Sequence, residues 1–431
     1  MLIVITNIVV LNGGDGAILF GMLKALRQAF GEDTEFIVFA SEPATAIRMY
    51  PEIQFRETLG LAATRAPAKR YVGRIVRTFR SALYLAAAWC WDSHLRLVSK
   101  LLLSKEAVQD MATYANADIV NSSGGTYLKE EYGLASQICD YRITLLLRRP
   151  LAFFTQTLGP FKHPESQAMM RPIFNASCCI LLRDERSRQN LLDIGVENAS
   201  VHLSADAAFA LADPQVLEQA KRRTLPSDRP LRIAISVRHW PHFTSVSTAD
   251  GMDHYIQTIA GITDWLVNAL GAEVTFLSTC QGIPEYQDDS EIACRVVERL
   301  PKEIAARVRV VREFVRFDEL LKRLPEFDLV LATRMHMAIL SLLAGTPAIP
   351  LVLEFKTKEL FAKLGLAEWV IDVEQFEVEP VRNLICRFIE AMPTFRHELF
   401  SRVERERAAA MEAGVHLRSS LQPLAAREAM A

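Results

Sequence analysis

The sequence predicts an α/β protein made of two Rossmann-like, doubly wound domains that face each other across a cleft. Three observations support this fold class. The chain has 431 residues, of which 50% are apolar and 23% charged, and this is enough for two cores of ordinary domain size. Short β-branched runs alternate with segments of helical period, which indicates parallel sheets wrapped by helices. A polar, proline-bearing stretch at 212–230 interrupts the alternation, which then starts again.

The first alternating series predicts an N-terminal domain over 1–215. It opens with a strand at 2–10 and an amphipathic helix at 17–30. Further strands are predicted at 35–39, 117–121, 151–155, 179–182 and 201–203. Most of these runs end in a polar or glycine-bearing loop, and in parallel sheets the loops at the strand C-termini build ligand sites.

The second series predicts a C-terminal domain over 225–395 and a helical tail over 396–431. Its strands are predicted at 231–237, 273–277, 308–311, 328–332 and 348–353. After about Glu374 the pattern is mostly helical, and the last residues of the chain are expected to fray.

Composition limits the classes of partner and the location. The 49 basic and 51 acidic side chains nearly cancel, so the whole molecule offers no electrostatic reason to bind nucleic acid, and any anion site must be local. The seven cysteines are scattered without a C-x-x-C pair, which is typical of a reduced, cytoplasmic protein. The first residues lack the basic start and the cleavage site of a signal peptide.

Residues 69–91 combine basic and large apolar side chains. The longest apolar run, 81–91, is shorter than the ~20 residues that a membrane-crossing helix needs. Before it, basic residues interleave with apolar ones: Arg70, Tyr71, Val72, Arg74, Ile75, Arg77, Phe79 and Arg80. One interpretation is a helix that lies on an anionic surface, peripheral at the inner face of the cytoplasmic membrane. The other is an ordinary solvated helix that covers the core.

A glycine turn directly follows the first predicted strand. It contains Asn12, Gly13, Gly14 and Asp15, where glycines let the backbone pass close to a ligand and the next helix presents N–H groups to it. The turn is not G-x-G-x-x-G, so a dinucleotide fingerprint is absent. The alternative interpretation is a tight strand-to-helix turn with Asp15 as the N-cap.

Two more turns end strands of the first domain. One contains Gly124 and Gly125, and a second glycine turn at a strand end favours a shared cleft. The other contains Gln156 and Thr157, which offer hydrogen bonds to sugar hydroxyls, although a turn set by Gly159-Pro160 explains the same residues.

Arg183 stands at the tip of a buried predicted strand and is followed by Asp184 and Glu185. The two acids suit the first turn of a helix, where they cap it and complement its dipole. A strand-tip guanidinium is instead a bidentate clamp for a carboxylate or a phosphate.

The strongest local signal of the second domain is a buried strand that ends in Arg334-Met335-His336 and turns into a helix. A cation and an imidazole then share one strand end beside helix N–H groups. Lys356 follows the next strand, and neighbouring parallel strands would bring it close to His336. Other strand tips add Arg238, Ser278 and Thr279 to this edge. No cluster of Asp or Glu suggests a metal site, so the predicted ligand is a small, highly charged anion.

These stretches together resemble the polysaccharide pyruvyl transferase family, most closely the enzymes that pyruvylate colanic-acid-like exopolysaccharides. The similarity runs to about residue 410, and its most specific part is the arginine-any-histidine strand end with the downstream lysine. The chain departs from the family pattern at Leu11, often glycine there, and at Gly16, often Glu or Ser.

The resemblance implies a GT-B-like fold and a transferase that uses phosphoenolpyruvate, with no other cofactor and no metal, to form a pyruvate ketal on a saccharide acceptor that is typically lipid-linked. It implies catalytic roles for His336, Arg183 and Lys356. With the strand-tip pattern it places the donor at Arg334, Arg238, Ser278 and Thr279, and the acceptor at Asn12, Asp15, Gly124, Gly125 and Gln156.

Two other functions fit parts of the same pattern. A GT-B nucleotide-sugar glycosyltransferase would share the architecture and release a nucleoside diphosphate, but in the second domain only Glu354 is well placed to bind a ribose. A non-catalytic protein that closes on a small anionic metabolite would use the same cations only as ligands.

Overall fold

The computed structural model describes residues 1–66, 70–93, 95–243, 246–283, 286–352, 355–373 and 376–428, without the side chains of 70, 71, 355, 356 and 422–428. The chain divides into two compact units. The first comprises Met1–Val10, Ile18–Ala210 and Ala408–Ala431, and the second comprises Leu11–Ala17 and Leu211–Arg407.

The first unit contains a parallel sheet whose strands are β1 Leu2–Ile8, β2 Glu35–Ala40, β3 Phe55–Glu57, β4 Ile119–Ser122, β5 Gly125–Leu128, β6 Leu151–Leu158, β7 Cys179–Leu182 and β8 Val201–Leu203. The strand order is β3-β2-β1-β4-β6-β7-β8, with β5 paired to β6. Ile3, Val4 and Ile5 of β1 are all fully buried, as expected for a parallel sheet covered on both faces.

The helices associated with this sheet are α1 Gly13–Phe30, α2 Pro43–Met49, α3 Leu59–Thr64, α4 Arg70–Asp92, α5 Arg96–Leu102, α6 Lys105–Asn116, α7 Ala135–Leu146, α8 Pro164–Ala176 and α9 Glu185–Asp193. Side-chain caps define several of their starts. Ser104 accepts a hydrogen bond from the backbone N–H of Ala107 at the start of α6, and Asp184 accepts one from Ser187 at the start of α9. The predicted capping role of Asp184 is therefore confirmed.

The second unit contains the parallel strands β9 Arg232–Ser236, β10 Glu273–Phe276, β11 Val308–Val310, β12 Leu329–Ala332, β13 Ala348–Val352 and β14 Ile371–Asp372. They are ordered β11-β10-β9-β12-β13-β14, the order of a dinucleotide-binding Rossmann sheet. The strand order reverses between β9 and β12, and ligands of such sheets bind outside the carboxyl ends of the strands at this point.

The helices of the second series are α10 Pro214–Arg222, α11 Thr248–Asn268, α12 Asp289–Val297, α13 Lys302–Ala305, α14 Phe317–Arg323, α15 Met335–Leu343, α16 Phe355–Lys363 and α17 Val378–Glu428. Ser247 caps α11 by accepting from the N–H of Asp250, and Asp288 caps α12 by accepting from Ser290. In the described part of the chain, no helix combines the length and the apolar character needed to cross a membrane.

The structure differs from the sequence prediction at several element boundaries. β3, β5 and β14 were not predicted, because their sequences (FRE, GTYL and ID) contain charged or small residues and form no continuous apolar run. The observed division falls between Ala210 and Leu211, whereas the predicted domains end at 215 and begin at 225. The segment Leu11–Ala17 groups with the second unit, and α17 runs without a break through the predicted boundary at 396.

Candidate active site

The carboxyl ends of β9, β10 and β12 in the second unit hold a connected polar cluster. The backbone N–H of Thr333, just after β12, donates to the carbonyl of Ser236 at the end of β9 over 3.1 Å, and its hydroxyl donates to the same carbonyl over 2.7 Å. The Ser236 hydroxyl in turn lies 3.4 Å from that of Ser278, which follows β10. The strand ends are thus tied together where the strand order reverses.

Arg334 is held in this cluster by a two-bond ion pair. Its Nε donates to Oδ2 of Asp289 over 2.8 Å and its Nη2 donates to Oδ1 over 2.6 Å. The Asp289 side chain is buried and also accepts a hydrogen bond from the hydroxyl of Ser278. Burial by itself would lower the pKa of Arg334, but the Asp289 carboxylate raises it above the ordinary value, so the guanidinium stays charged.

His336 lies in the first turn of α15 and is packed against the glycine turn that begins α1. A β-carbon added to Gly14 would lie 2.7 Å from Cβ of His336, a distance that real β-carbons do not reach. The N–H of the neighbouring Gly13 donates to the carbonyl of Thr279 over 2.7 Å. The glycines at 13 and 14 therefore allow this turn to approach both the imidazole and the end of β10.

Asn12 and Asp15, which precede and follow the Gly13-Gly14 pair, are joined by two hydrogen bonds. Oδ1 of Asn12 accepts from the N–H of Asp15 over 2.9 Å, and Nδ2 of Asn12 donates to the Asp15 carboxylate over 2.6 Å. Asn12 is therefore the N-cap of α1, and the alternative interpretation with Asp15 as N-cap is wrong, because Asp15 lies two residues inside the helix.

The other predicted donor-binding residues lie at the same edge of the second sheet. Thr279 and Ser278 are both buried; the Thr279 carbonyl accepts from the N–H of Gly13, and the Ser278 hydroxyl donates to Asp289. The guanidinium of Arg238 lies 5.0 Å from the ring centroid of Trp240, a cation–π distance. Binding of an anionic donor by these residues stays a prediction.

Lys356 falls in the first turn of α16, and its side chain lies outside the described part of the structure. The predicted approach of Lys356 to His336 is therefore untested. Glu354, the residue considered for ribose binding, also lies outside the described residues.

Arg183 belongs to the first unit, where its guanidinium is buried in a polar network. Nε donates to the hydroxyl of Thr157 over 2.8 Å, Nη2 donates to that of Thr126 over 2.7 Å, and Nη1 forms an ion pair with Asp206. The fork that was predicted to hold a carboxylate ligand is engaged by a carboxylate of the chain itself. Its role in donor binding stays a prediction.

The remaining predicted acceptor residues also lie in the first unit. Gln156 is fully buried, and its side-chain amide donates to the hydroxyl of Ser122 and to the carbonyl of Ser123. A β-carbon on Gly124 would lie 2.8 Å from the hydroxyl oxygen of Thr155, and Gly125 has a φ of +128°, which a residue with a side chain rarely adopts. These contacts give all three residues a structural part in the turn between β4 and β5.

Two residues of the second-unit cluster were missed by sequence reasoning. Asp289 begins α12, and its acidic position there was a weak signal, since acids are common in first helical turns. Tyr286 is 38% exposed, and partial burial followed by the negative charge of Asp15 raises the pKa of its hydroxyl to about 12, so this side chain lies beside the cluster. Among the described residues, no group of three His, Cys, Asp or Glu side chains is arranged to hold a metal.

Comparisons with known proteins give both a family and a fold. The family model described as polysaccharide pyruvyl transferase matches residues 12–353. The amylovoran biosynthesis protein AmsJ of Erwinia amylovora is 23% identical over 407 residues, which span 92% of this chain and 94% of AmsJ.

Solved structures align over nearly the whole chain at low identity. UDP-GlcNAc 2-epimerase of Neisseria meningitidis, bound to UDP-GlcNAc, has a TM-score of 0.58 at 12% identity and covers 98% of this chain and 99% of the epimerase. HepE of Anabaena, in complex with UDP-glucose, has a TM-score of 0.52 at 11% identity, and the alignment covers 99% of this chain and 100% of HepE. Together with the two Rossmann-like sheets, these likenesses confirm the predicted α/β, GT-B-like fold class.

Proposed function

Because the chain belongs to the polysaccharide pyruvyl transferase family and is therefore a transferase with a role in polysaccharide modification, we propose that phosphoenolpyruvate is its donor. The acceptor is a sugar of a bacterial exopolysaccharide or of its lipid-linked repeat unit. The products are a pyruvate ketal and inorganic phosphate, and no cofactor takes part.

The proposed reaction needs one proton donor and an anion-binding environment. A proton is added to the methylene carbon of phosphoenolpyruvate, and a sugar hydroxyl attacks C2, which carries the resulting positive charge. The first hydroxyl loses its proton, the C2–O bond to phosphate breaks with its electron pair going to the phosphate, and a second hydroxyl of the same sugar attacks C2 and loses its proton. One of the two hydroxyl protons replaces the proton given to the methylene carbon, and the other leaves with the phosphate. The net change is the joining of one donor to two hydroxyls with release of one phosphate.

The observation that carries the proposal is the convergence of Arg334, His336 and the Asn12–Asp15 turn within the second unit. Two helices, α1 and α15, begin at this place, and their N-terminal N–H groups attract anions. A guanidinium fixed in position and an imidazole share the same neighbourhood. This combination suits a ligand that carries a phosphate and a carboxylate.

We assign His336 to proton transfer, because an imidazole can give or take a proton near neutral pH. Arg334 is assigned to the phosphate. Its Nε and Nη2 are directed to Asp289, while Nη1 carries two further N–H groups, and preorganised donors of this kind stabilise charge without moving during the reaction. Lys356 is proposed as a second phosphate ligand and Arg183 as a carboxylate ligand.

Asn12 and Asp15 are assigned to the acceptor hydroxyls. Their side chains are hydrogen-bonded to each other, and Gly14, which lies between them in sequence, packs against His336. A sugar bound to Asn12 and Asp15 would therefore present its hydroxyls beside the imidazole. The exposed Tyr286 beside the cluster offers a further hydroxyl and an aromatic face to a sugar ring.

The test is an incubation of the purified protein with phosphoenolpyruvate and an acceptor glycan. We expect release of inorganic phosphate together with a glycan whose mass increases by one pyruvyl group. Release of a nucleoside diphosphate from a nucleotide sugar, with no reaction of phosphoenolpyruvate, would instead identify a glycosyltransferase. Binding of phosphoenolpyruvate with no product in the presence of a range of glycans would favour a non-catalytic binding protein.

A further inference from the structure

Helices α4 and α5 of the first unit expose large apolar side chains to solvent. The exposed fractions are 68% for Phe79, 57% for Trp89, 76% for Leu97 and 86% for Leu101, and Ile75 is also exposed. Single exposed apolar residues are ordinary, but several of them on two consecutive helices mark an interaction surface. These five residues are called the α4–α5 surface below.

The apolar residues of α4 form one outward stripe. Ile75, Phe79, Ala82, Ala86 and Trp89 are all exposed, and their spacings of four and three residues place them on one side of the helix. The other side of α4 is the one that covers the core, since Tyr84, Ala87 and Ala88 are buried in the first unit. The outward stripe therefore has no part in covering the core.

Helix α5 continues this surface. It is fixed to α4 by Ser99, which is buried and whose hydroxyl donates to the carbonyl of Ala87 over 2.7 Å. Leu97 and Leu101 are one turn apart on α5 and are the most exposed residues of the α4–α5 surface.

The same stretch carries a strong local positive charge. Between 70 and 105 it contains seven basic residues: Arg70, Arg74, Arg77, Arg80, Arg96, Lys100 and Lys105. Its one acidic residue is Asp92, which is paired with Arg148. Because the whole chain has a formal net charge of −2, this basic stretch is a local feature. Its charge complements an anionic partner.

We propose that the α4–α5 surface docks the protein on a membrane that contains anionic lipid. Phe, Leu and Trp side chains beside Arg and Lys are the combination found on helices that lie in the interface of a bilayer. A second copy of the chain is the poorer occupant, because it would bring Arg74 and Arg77 close to the basic residues of its partner, and like charges oppose such contact. Docking does not depend on the proposed chemistry, and it would hold the enzyme where a lipid-linked acceptor lies.

The experiment is flotation of the full chain with vesicles of equal parts phosphatidylglycerol and phosphatidylcholine. We expect the protein to float with these vesicles, to stay behind with phosphatidylcholine alone, and to lose binding at high salt, since salt screens the attraction to the lipid surface. The double variant Phe79→Ser with Leu101→Ser and the double variant Arg74→Glu with Arg77→Glu should each reduce partitioning by about tenfold or more.

Matched controls keep the test specific. Leu192 and Leu203 are exposed apolar residues elsewhere in the first unit, and Arg222 and Arg309 are exposed basic residues of the second. Two control double variants should bind vesicles like the wild type: Leu192→Ser with Leu203→Ser, and Arg222→Glu with Arg309→Glu. Circular dichroism checks that each variant is folded. Failure of the wild type to float with anionic vesicles, or equal losses in the control variants, would overturn the proposal.

The α4–α5 surface would instead belong to a contact with a second copy under a different result. In that result the wild type is a dimer that does not bind vesicles, and the double variant Phe79→Ser with Leu101→Ser is a monomer. Activity on phosphoenolpyruvate and a water-soluble glycan is measured without lipid. The docking proposal and the proposed reaction can therefore fail separately.

Discussion

Gly14 and His336 approach each other so closely in the second unit that position 14 has no room for a side chain. A β-carbon there would lie 2.7 Å from Cβ and 2.9 Å from Cγ of His336. The turn that follows the first strand thus sets the position of an imidazole that is distant in sequence.

We expect Gly14→Ala to lower kcat by about tenfold to a hundredfold, because the new methyl group must displace the imidazole or the turn by a large fraction of an ångström. Steady-state rates with phosphoenolpyruvate measure this effect. Gly13→Ala is the matched control, since its nearest contact would be 3.2 Å, to a carbonyl of Val315, and it should change kcat less. Equal rates for Gly14→Ala and the wild type would separate the contact from catalysis.

His336→Ala should keep the fold and lose turnover, because the proposed proton transfer loses its donor. The rate of phosphate release and the melting temperature are the two measurements. His397→Ala removes an exposed histidine of α17 and should leave both unchanged. A wild-type rate of pyruvyl transfer in His336→Ala would remove this residue from the mechanism.

Asp289→Ala should destabilise the protein by about 3 to 5 kcal/mol, because Arg334 would remain largely buried without its carboxylate. Urea unfolding measures the change in the free energy of unfolding. Asp289→Ala should also raise KM for phosphoenolpyruvate, since the Arg334 guanidinium is no longer held in position. Asp253→Ala breaks an exposed ion pair with Arg299 and should have a much smaller effect on stability.

Arg183→Lys tests the predicted carboxylate ligand against a purely structural role. A lysine ammonium cannot reproduce the three-way contact with Thr126, Thr157 and Asp206 or a bidentate grip on a ligand. We expect KM for phosphoenolpyruvate to rise about tenfold. Asp206→Asn disturbs the same network but keeps the guanidinium. If Arg183→Lys lowers stability as much as Asp206→Asn and leaves KM unchanged, Arg183 is structural.

Asp328, just before β12, should make stability depend on pH. Burial would raise the pKa of its carboxyl, but hydrogen bonds from Arg229 and from the N–H of Arg232 lower it below the ordinary 3.8. A lowered pKa means that the stabilising contribution is complete above that ordinary value and is lost as the pH falls through the folded-state value. Asp328→Asn should therefore be less stable than the wild type at pH 7, in urea unfolding.

The difference in the free energy of unfolding between the wild type and Asp328→Asn should become smaller as the pH is lowered below about 3.8. A difference that stays constant or increases on acidification would contradict the lowered pKa of Asp328. The result matters for the site because Asp328 anchors the start of the strand whose other end carries Arg334.

Much of the fold could be predicted because its signals are local. Buried parallel strands appear as continuous apolar runs, and β6, β7 and β12 were recognised in this way. Strand β14 could not be recognised, since Ile371 and Asp372 alone form no apolar run. The break near residue 210 was visible as a change of composition, but the grouping of Leu11–Ala17 with the second unit was not, because it depends on contacts between segments far apart in sequence.

Local patterns are enough to identify the chemical groups that follow strand ends, among them Asn12, Arg183, Arg334 and His336, since alternation and turn residues are local properties of the chain. Which of these groups meet depends on the folded chain. It paired Arg334 with Asp289, engaged Arg183 with Asp206 and packed Gly14 on His336. Side-chain pairing and close packing arise where distant segments come together, and no local pattern encodes them.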